Sequence, residues 1–447
     1  MWEAGAYDSI AMVNGKTIDG ADLAARIPAP WRESTLAIAQ VLGDAGHRAW
    51  VVGGTVRDLI LGRPVKDVDI VSDALPDRVE ALFEKTIPVG KAFGIVVVVM
   101  DGLELEVATF REETGYSDQR RPDSIRYASD AATDARRRDF TCNALFLDPL
   151  DGTIVDPTGG VQDLIERRLR AVGDAVDRFR EDGLRLLRMA RFSAALGLEP
   201  APGLLEAARA ERGSLAGVSP ERVLGELGKI FAAERATTAI QHLEDTGLGD
   251  LCLPGWGQGG FDAGQKARRI RMLAAMASPI PLASGLAVLL GDADTKGTRD
   301  RVTALRASKD LRESAAVLWD HSLLLEDWAM AGEPETNGLG AEELGRRVLV
   351  ARMAATAPAL DIASARAAAD GRSTDPFARL AEELDGRHRK APVSPFELPS
   401  QRLIELGIPK GPALGLAIAR MRAASLGGAF HDVKGAEDWL VASGLAK

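Results

Sequence analysis

The sequence predicts an α+β protein in which an N-terminal head with a mixed β-sheet and helices is followed by an all-α remainder. Runs of β-branched residues, which are typical of strands, occur only in about the first 170 residues, at 49–52, 68–71, 95–100 and 103–110. Helical patterns at 31–45 and 77–84 lie between these runs. After about Gly173, apolar residues recur every three or four positions and Ala, Leu, Arg and Glu dominate, which indicates helices.

The length of the chain predicts several domains, because 447 residues are too many for one ordinary hydrophobic core. Clusters of Gly and Pro punctuate the helical part and suggest boundaries. We therefore divide the chain into a head (1–172), a neck (173–252), a body (253–332) and a tail (333–447).

The composition excludes several classes of protein. The chain is 46% hydrophobic and 27% charged, as expected for a globular protein, and its formal net charge of −10 argues against non-specific coating of nucleic acid. The two cysteines cannot build a disulfide framework, so we expect a reducing compartment, the cytoplasm. No long apolar run or basic N-terminal segment occurs, so neither a membrane association nor a secretory signal is expected, and nothing indicates a protein partner.

A strand followed by paired glycines indicates a phosphate-binding turn. The apolar run 49–52 leads into Gly53 and Gly54, and a helical pattern follows. Glycines let backbone amides approach an anion, and the positive end of the next helix points at the same place. Arg57 adds a side chain that can bind phosphate through two N–H groups. Taken alone, a simple strand–turn–helix connection explains this segment at least as well.

Two acids in the next predicted strand indicate a metal site. Asp67 and Asp69 are two residues apart and would share one face of a strand. Two such carboxylates repel each other unless a cation lies between them, and hard oxygen ligands suit Mg²⁺ with substrate phosphates. Taken alone, an exposed edge strand with a charged face explains the pair equally well.

Together, the Gly-Gly-Thr-Val-Arg-Asp run at 53–58 and the Asp-Val-Asp run at 67–69 resemble the signature of the nucleotidyltransferase superfamily typified by DNA polymerase beta. More narrowly, they are similar to class II tRNA nucleotidyltransferases, the CCA-adding enzymes, and to bacterial poly(A) polymerases. The resemblance covers residues 45–230 closely and the tail loosely. It implies a catalytic nucleotidyltransferase head, a neck that reads the base, and a tail that binds tRNA.

Further motifs of the family follow in order. The run 137–145 resembles the second motif, which implies ribose and nucleotide binding by Arg138, Asp139 and Asn143. The run 156–164 resembles the third motif, to which we assign a structural role. The run 218–230 resembles the fifth motif and is expected to stabilise the base-reading helix.

The run 179–192 resembles the fourth motif, which in the family acts as a protein template for the incoming base. Asp182 and Arg185 would be neighbours on a helix, where a carboxylate can accept from an exocyclic amine and a guanidinium can donate to a ring nitrogen. Cytosine and adenine offer that pair, whereas uracil and guanine do not. Arg188 and Arg191 are expected to help bind the nucleotide. The family often has proline where this chain has Gly183, which predicts a looser helix start.

A third carboxylate is expected beside the metal pair. In the alternating strand 103–111, Glu104 and Glu106 share one face. We choose Glu106, because the family-like run begins there, and keep Glu104 as the alternative.

Three other segments bear on specificity and RNA. The polar stretch 111–122 resembles the loop that helps CCA-adding enzymes switch from CTP to ATP, and the run 90–96 is more similar to the CCA-adding version than to poly(A) polymerases. The stretch 387–422 has seven Lys and Arg residues against two acids, which predicts an RNA-binding patch; a helical hairpin turn explains its glycines and prolines equally well.

The resemblance thus implies an RNA nucleotidyltransferase, most simply a CCA-adding enzyme that uses CTP, ATP and the acceptor arm of tRNA. The resemblance implies that Asp67, Asp69 and Glu106 are the catalytic residues. Asp67 and Asp69 would bind two Mg²⁺ ions. The alternatives are a bacterial poly(A) polymerase or an enzyme that adds only CC or only A.

Overall fold

A computed structural model of the chain describes residues 6–7, 12–13, 16–88, 94–114, 124–331, 347, 349–350, 353–390 and 394–446. The chain forms two compact units, Met1–Cys252 and Leu253–Lys447. Most of the stretch 111–122, the start of the run 90–96 and the basic side chains at 387, 389 and 390 lie outside the described residues. No helix of the described residues is long and apolar enough to cross a membrane.

Within the described residues, the strands all lie in the first unit. In chain order they are β1 (Ala6–Tyr7), β2 (Met12–Val13), β3 (Lys16–Thr17), β4 (Ala49–Val52), β5 (Asp69–Ser72), β6 (Thr86–Ile87), β7 (Ile95–Met100), β8 (Leu103–Thr109), β9 (Arg111–Thr114), β10 (Ser124–Tyr127), β11 (Phe146–Leu147), β12 (Ile154–Val155), β13 (Arg168–Leu169) and β14 (Glu199–Pro200).

Eight of these strands form one mixed sheet in the order β1-β12-β11-β4-β5-β8-β7-β6. Within it β5 and β8 run parallel, and the other pairings are antiparallel. The mixed sheet confirms the predicted head. The parallel pairing matters for the site, because it sets which residue of β8 lies beside the first residue of β5.

The predicted strands 49–52 and 95–100 coincide with β4 and β7. The prediction for 68–71 was wrong by one residue, since β5 begins at Asp69 and Asp67 precedes the strand. A two-residue turn joins β7 to β8, and both of its residues, Asp101 and Gly102, have positive φ (52° and 78°). Asp-Gly suits this tight hairpin turn.

The described residues of the first unit also form α-helices, some of which pack against the sheet. They are α1 (Gly20–Ala25), α2 (Ala29–Asp44), α3 (Gly54–Ile60), α4 (Pro76–Leu82), α5 (Ala131–Arg136), α6 (Gly160–Ile165), α7 (Ala175–Glu181), α8 (Leu184–Leu196), α9 (Leu204–Ala210), α10 (Pro220–Phe231), α11 (Ala236–Asp245) and α12 (Gly249–Cys252). Short 3₁₀ helices lie at Thr141–Asn143 and Arg212–Gly217.

An aromatic cluster forms part of the core of the head. The ring centroids of Trp50 and Phe110 are 5.1 Å apart, and those of Phe110 and Phe146 are 6.0 Å apart. Such offset and edge-on pairs stabilise a core beyond the apolar area that they bury. Because Trp50 and Phe146 lie on β4 and β11, the cluster fixes the strand from which the glycine turn departs.

The described residues of the second unit form helices joined by turns and no strand, as predicted. Its helices are α13 (Ala263–Ala275), α14 (Leu282–Leu290), α15 (Thr295–Ala304), α16 (Lys309–Ala331), α17 (Thr356–Ala369), α18 (Asp375–Lys390), α19 (Ser400–Glu405), α20 (Pro412–Leu426) and α21 (Val433–Ala442).

Acidic partners offset part of the predicted basic patch of the tail. Arg402 pairs with Glu437 at 2.7 Å, and Arg422 pairs with Glu397 at 2.7 Å. A paired arginine still carries N–H groups that can reach a phosphate, but the local positive potential is smaller than the count of residues suggested. The role of the tail in binding RNA stays a prediction.

Candidate active site

The glycine turn lies where β4 ends and α3 begins. Gly53 precedes the helix with φ 70° and ψ −122°, a conformation that favours glycine, and its N–H donates to the carbonyl of Leu145. A Cβ at Gly53 would lie 3.2 Å from Nη1 of Arg138. The turn therefore needs glycine both for its backbone and for the close approach of an arginine to the same spot.

The predicted metal ligands lie beside this turn. Asp67 precedes β5, Asp69 is its first residue, and Glu106 is the direct neighbour of Asp69 on the parallel strand β8. Neither aspartate side chain accepts a hydrogen bond from, or pairs with, another described residue. The register thus brings together three carboxylates whose charges the described residues leave largely uncompensated.

The electrostatics of Asp69 reflect this crowding. The side chain of Asp69 is exposed to water on one side, but protein surrounds it on its other sides. This desolvation, followed by repulsion from Asp67 and Glu106, raises the pKa of Asp69 to about 6, against the opposing effect of Arg138. A bound cation would relieve the repulsion, so this donor set fits a hard divalent ion.

The geometry fits a metal ion that is bound by two protein carboxylates and not by three. Within the described residues, no group of three acidic, His or Cys side chains is arranged to hold one ion. Asp67 and Asp69 would therefore hold a metal together with oxygen atoms from substrate and water, which is how Mg²⁺ is usually bound in proteins. Glu106 contributes charge next to Asp69.

The buried Arg57 is held from two directions. Its Nε and Nη2 donate to the two oxygens of Asp58 at 3.0 Å each, and its Nη1 donates to Oδ1 of Asn143 at 2.6 Å. These bonds use three of its five N–H groups. Arg57 lines the cleft with donors to spare, in an orientation that does not depend on a ligand.

Asn143 continues the network to the neck. It donates from Nδ2 to Asp139 at 3.0 Å, and Asp139 also accepts from Arg188 of α8 at 2.6 Å. Burial alone would raise the pKa of Asp139, but Arg188, Asn143 and the N–H of Phe140 lower it to about 2. Asp139 and Asn143 are therefore in contact with each other, although an extended Phe140 and a 3₁₀ turn lie between them in the chain instead of an α-helix.

Arg138 is held by an acid that the sequence analysis missed. Asp134, fully buried in α5, pairs with Arg138 at 2.8 Å and with Arg137 at 2.7 Å. Burial alone would raise the pKa of Asp134, but the two guanidiniums lower it below its usual range. Asp134 lies three and four residues before its partners, so helical spacing was the available signal.

The predicted base-reading pair does not lie on one helix, and that expectation was wrong. Asp182 follows α7 in an extended conformation, whereas Arg185 belongs to the first turn of α8. Asp182 accepts from the N–H of Leu184 at 3.0 Å and from Arg222 of α10 at 2.9 Å. One helix ends before Asp182 and the next begins after Gly183, so the two side chains are placed by two separate helices.

The buried Arg185 is anchored by three bonds. Its Nη1 donates to Glu181 at 2.5 Å and to the carbonyl of Arg178 at 3.0 Å, and its Nη2 donates to the carbonyl of Arg137 at 2.9 Å. Two N–H groups remain for another acceptor. Arg185 thus connects the neck to the basic segment of the head.

Gly183 permits a close backbone contact. A Cβ at this position would lie 2.1 Å from the carbonyl oxygen of Ser214. We expect Gly183→Ala to lower the free energy of unfolding by about 1–3 kcal/mol, because backbone atoms must shift, as measured by urea denaturation. Gly225→Ala in α10 is the matched control, since nothing lies within 4 Å of its added Cβ. A Gly183 variant as stable as this control would contradict the prediction.

One cleft of about 900 Å³ gathers these groups. Its walls include every predicted site residue except Glu106, namely Gly53, Gly54, Arg57, Asp67, Asp69, Arg138, Asp139, Asn143, Asp182, Arg185, Arg188 and Arg191. Eleven Lys and Arg side chains line it against six acids, in a chain with a net charge of −10. The cleft therefore concentrates positive charge around a small group of acids, an arrangement that suits a polyphosphate with divalent ions.

Comparisons with known proteins identify the family to which the chain belongs. Residues 49–170 match the poly A polymerase head domain, and residues 197–258 match a region described as the probable RNA and SrmB-binding site of polymerase A. The chain also resembles the crystal structure of the Bacillus stearothermophilus CCA-adding enzyme in complex with CTP, with a TM-score of 0.68 and a sequence identity of 31%. The match covers 94% of this chain and 98% of that one. The chain belongs to the family of CCA-adding enzymes and bacterial poly(A) polymerases.

Curated members of this family are more similar over a shorter stretch. The CCA-adding enzyme of Geobacillus thermodenitrificans is 45% identical over 51% of this chain, and that of Bacillus subtilis is 41% identical over 49%. The matches span only about half the length of these curated relatives, 56% and 55%.

Other residues of the cleft were not predicted as site residues. Arg222 holds Asp182, and Phe192, which is 7% exposed, lies under several guanidiniums. Asp58 pairs with Arg57 and also lines the cleft. The run of residues 53–58 contained Asp58, but neither the pairing of Arg222 nor the packing of Phe192 follows from sequence spacing, because each joins separate helices.

Proposed function

We propose that this chain is an RNA nucleotidyltransferase that adds C, C and A to the 3′ end of tRNA from CTP and ATP, releasing pyrophosphate. The observation that carries the proposal is the single cleft that unites the acidic pair, the glycine turn and the arginines of both head and neck. The similarity to CCA-adding enzymes, one of them solved in complex with CTP, supports the choice of substrates.

In the proposed reaction, the RNA 3′-hydroxyl attacks the α-phosphate of the bound nucleotide, and the bond to the β-phosphate breaks. Gly53 shapes the turn, and the first amides of α3, beginning with Gly54, would hold the triphosphate together with the two spare N–H groups of Arg57. Arg138, which approaches Gly53 closely, and Arg188 line the same cleft. These side chains are oriented before the nucleotide binds, which reduces the entropy lost on binding.

Asp67 and Asp69 would hold the divalent metal, which we propose to be two Mg²⁺ ions. When bound, these ions would activate the attacking hydroxyl and neutralise charge on the departing pyrophosphate. Glu106 is the proposed third carboxylate because it is the register neighbour of Asp69, and Glu104 remains the alternative. Asp139 and Asn143 would contact the ribose.

Asp182 and Arg185 would read the base from the two sides of the break at Gly183. Asp182 accepts three hydrogen bonds and keeps one lone pair, and Arg185 keeps two N–H groups. Cytosine and adenine satisfy both groups, whereas uracil and guanine leave both unpaired, at about 1–3 kcal/mol each. The pair would therefore reject UTP and GTP by roughly two to four orders of magnitude.

Replacing Asp182 or Arg185 by alanine is expected to relax this discrimination at least about tenfold, since one of the two penalties disappears. The measurement is nucleotide competition between CTP and UTP, and between ATP and GTP. Arg180→Ala is the control, because Arg180 is exposed on α7 and does not line the cleft. Selectivity equal to that of the control would contradict the assignment.

The decisive experiment uses tRNA ending before CCA, before CA or before A, each with labelled CTP and ATP. Addition that completes CCA on all three and then stops supports the proposal. Continued addition of A indicates a poly(A) polymerase, and partial additions indicate a CC-only or A-only enzyme. No addition to any RNA with Mg²⁺ present overturns the proposal.

We also propose a location and a division of labour. The two cysteines are free and buried, which suits the cytoplasm. The head at 1–172 would catalyse nucleotide addition, and the neck at 173–252 would read the base. The helical body at 253–332 would be followed by the tail at 333–447, which would bind tRNA.

A further inference from the structure

Three arginines of the cleft meet at one phenyl ring. The Cζ atoms of Arg57, Arg188 and Arg191 lie 5.3, 5.1 and 4.2 Å from the ring centroid of Phe192. A guanidinium within about 6 Å of a ring centroid is attracted by the negative face of the ring. Arg57 comes from α3 and the other residues from α8, so this ring links the phosphate-binding helix of the head to the base-reading helix of the neck.

Each of the three guanidiniums is also held by a carboxylate at its edge. The pairs are Arg57 with Asp58 at 3.0 Å, Arg188 with Asp139 at 2.6 Å, and Arg191 with Glu226 at 3.2 Å. These carboxylates occupy only part of the five N–H groups of each arginine, so donors remain for an anion in the cleft. Ring and carboxylate together fix each guanidinium from two sides.

The cluster holds like charges close together. Burial and then the neighbouring Arg188 lower the pKa of Arg191 to about 10, although Glu226 and Asp139 oppose the shift. Phe192 itself is braced edge-on by Phe140, with ring centroids 5.8 Å apart. An aliphatic side chain in place of Phe192 would fill part of the volume but would not attract the cations, which would then be free to separate.

We infer that Phe192 is a positioning residue that sets the spacing of Arg57, Arg188 and Arg191 for the triphosphate of the incoming nucleotide. The inference rests on the proposed function, because it takes the ligand of the cleft to be a nucleoside triphosphate. Phe192 acts through the arginines and reads no base, so its effect is the same for CTP and ATP. Buried packing alone would instead affect stability without a selective loss of triphosphate binding.

The test compares Phe192→Leu with Phe192→Tyr, which keeps an aromatic ring. The dissociation constants of CTP, ATP and inorganic tripolyphosphate are measured by calorimetry, and KM and kcat by RNA extension. We expect Phe192→Leu to weaken binding of all three about tenfold, the size expected for losing about three cation–π contacts. KM should rise by a similar factor with kcat changed less than about threefold, and Phe192→Tyr should restore most of the binding.

Phe231→Leu is the matched control, because Phe231 is also buried, in α10, and no guanidinium of the described residues lies over its ring. Thermal unfolding of each variant verifies the fold, and Phe192→Met serves if the leucine variant does not fold. An unchanged affinity for tripolyphosphate, or an equal loss in Phe231→Leu, overturns the inference while leaving the proposed function intact. If the unmodified protein binds neither CTP nor tripolyphosphate, the proposed function falls together with the inference.

Discussion

Replacing Asp69 by asparagine is expected to lower the rate of RNA extension at least about a thousandfold, because it removes a ligand on which charge neutralisation at the reacting phosphate depends. The stability of the fold should not decrease. The raised pKa of Asp69 means that its negative charge is disfavoured in the folded protein, so the variant should unfold at the same temperature or a higher one in EDTA. Single-turnover extension with saturating Mg²⁺ and thermal unfolding measure the two effects.

Asp44→Asn, which changes an exposed carboxylate of α2, is the control for this prediction. It should leave both extension and unfolding unchanged. Full extension by the Asp69 variant would remove this residue from the metal site. Parallel measurements on Glu106→Gln and Glu104→Gln decide the third carboxylate, with a clear loss of rate expected only for the former.

The same pKa predicts how the protein responds to pH. Between the ordinary aspartate value near 4 and about 6, the folded protein binds more protons at Asp69 than the unfolded chain does. The contribution of this residue to the free energy of unfolding is therefore present below pH 4 and lost as the pH rises through 6. Urea denaturation in EDTA across this range should show the loss in the unmodified protein but not in Asp69→Asn. Because protons compete with the metal for Asp69, extension at limiting Mg²⁺ should fall as the pH drops below 6, and saturating Mg²⁺ should offset this fall.

The largest loss of stability is expected from Asp134→Asn. Asp134 is fully buried between Arg137 and Arg138, and its removal leaves two guanidiniums without their main partner. Breaking a buried ion pair in this way costs about 3–5 kcal/mol of the free energy of unfolding. Urea denaturation at pH 7 measures the cost, again with Asp44→Asn as the control.

The effect of Asp134 should also depend on pH in a defined direction. Because the two arginines lower its pKa, the stability that it contributes persists above the ordinary aspartate value and disappears only at stronger acidity. The difference in unfolding free energy between the unmodified protein and the variant should therefore narrow only well below pH 4. A loss of less than about 1 kcal/mol at pH 7 would show that the arginines find other partners.

Much of the fold and part of the site could be predicted from local patterns. The β-branched runs identified β4 and β7, and the order of motifs identified the glycine turn and the acidic pair. Local spacing failed at Asp182 and Arg185, where the prediction of one helix was wrong. The helices are interrupted where Gly183 packs against the carbonyl of Ser214, a residue 31 positions away in the chain, and such a contact leaves no trace in helical periodicity.

Long-range pairings set the remaining features of the site. The position of Glu106 beside Asp69 depends on the register of two strands, and the grip of Arg222 on Asp182 depends on how α10 packs against α8. Spacing along the sequence does not encode these distances. The net charge of the sequence did not predict the charge of the site, since an acidic chain forms a cleft with a basic lining.

The two-residue hairpin at Asp101 and Gly102 has a consequence for engineering. Side chains alternate along β8, so inserting one amino acid into this hairpin could slide the strand by one step and bring Leu105 or Val107 next to Asp69 in place of Glu106. Such an insertion would abolish activity although no acidic or basic residue of the cleft is substituted. Insertion libraries at this loop would therefore test strand alignment as a hidden determinant of activity.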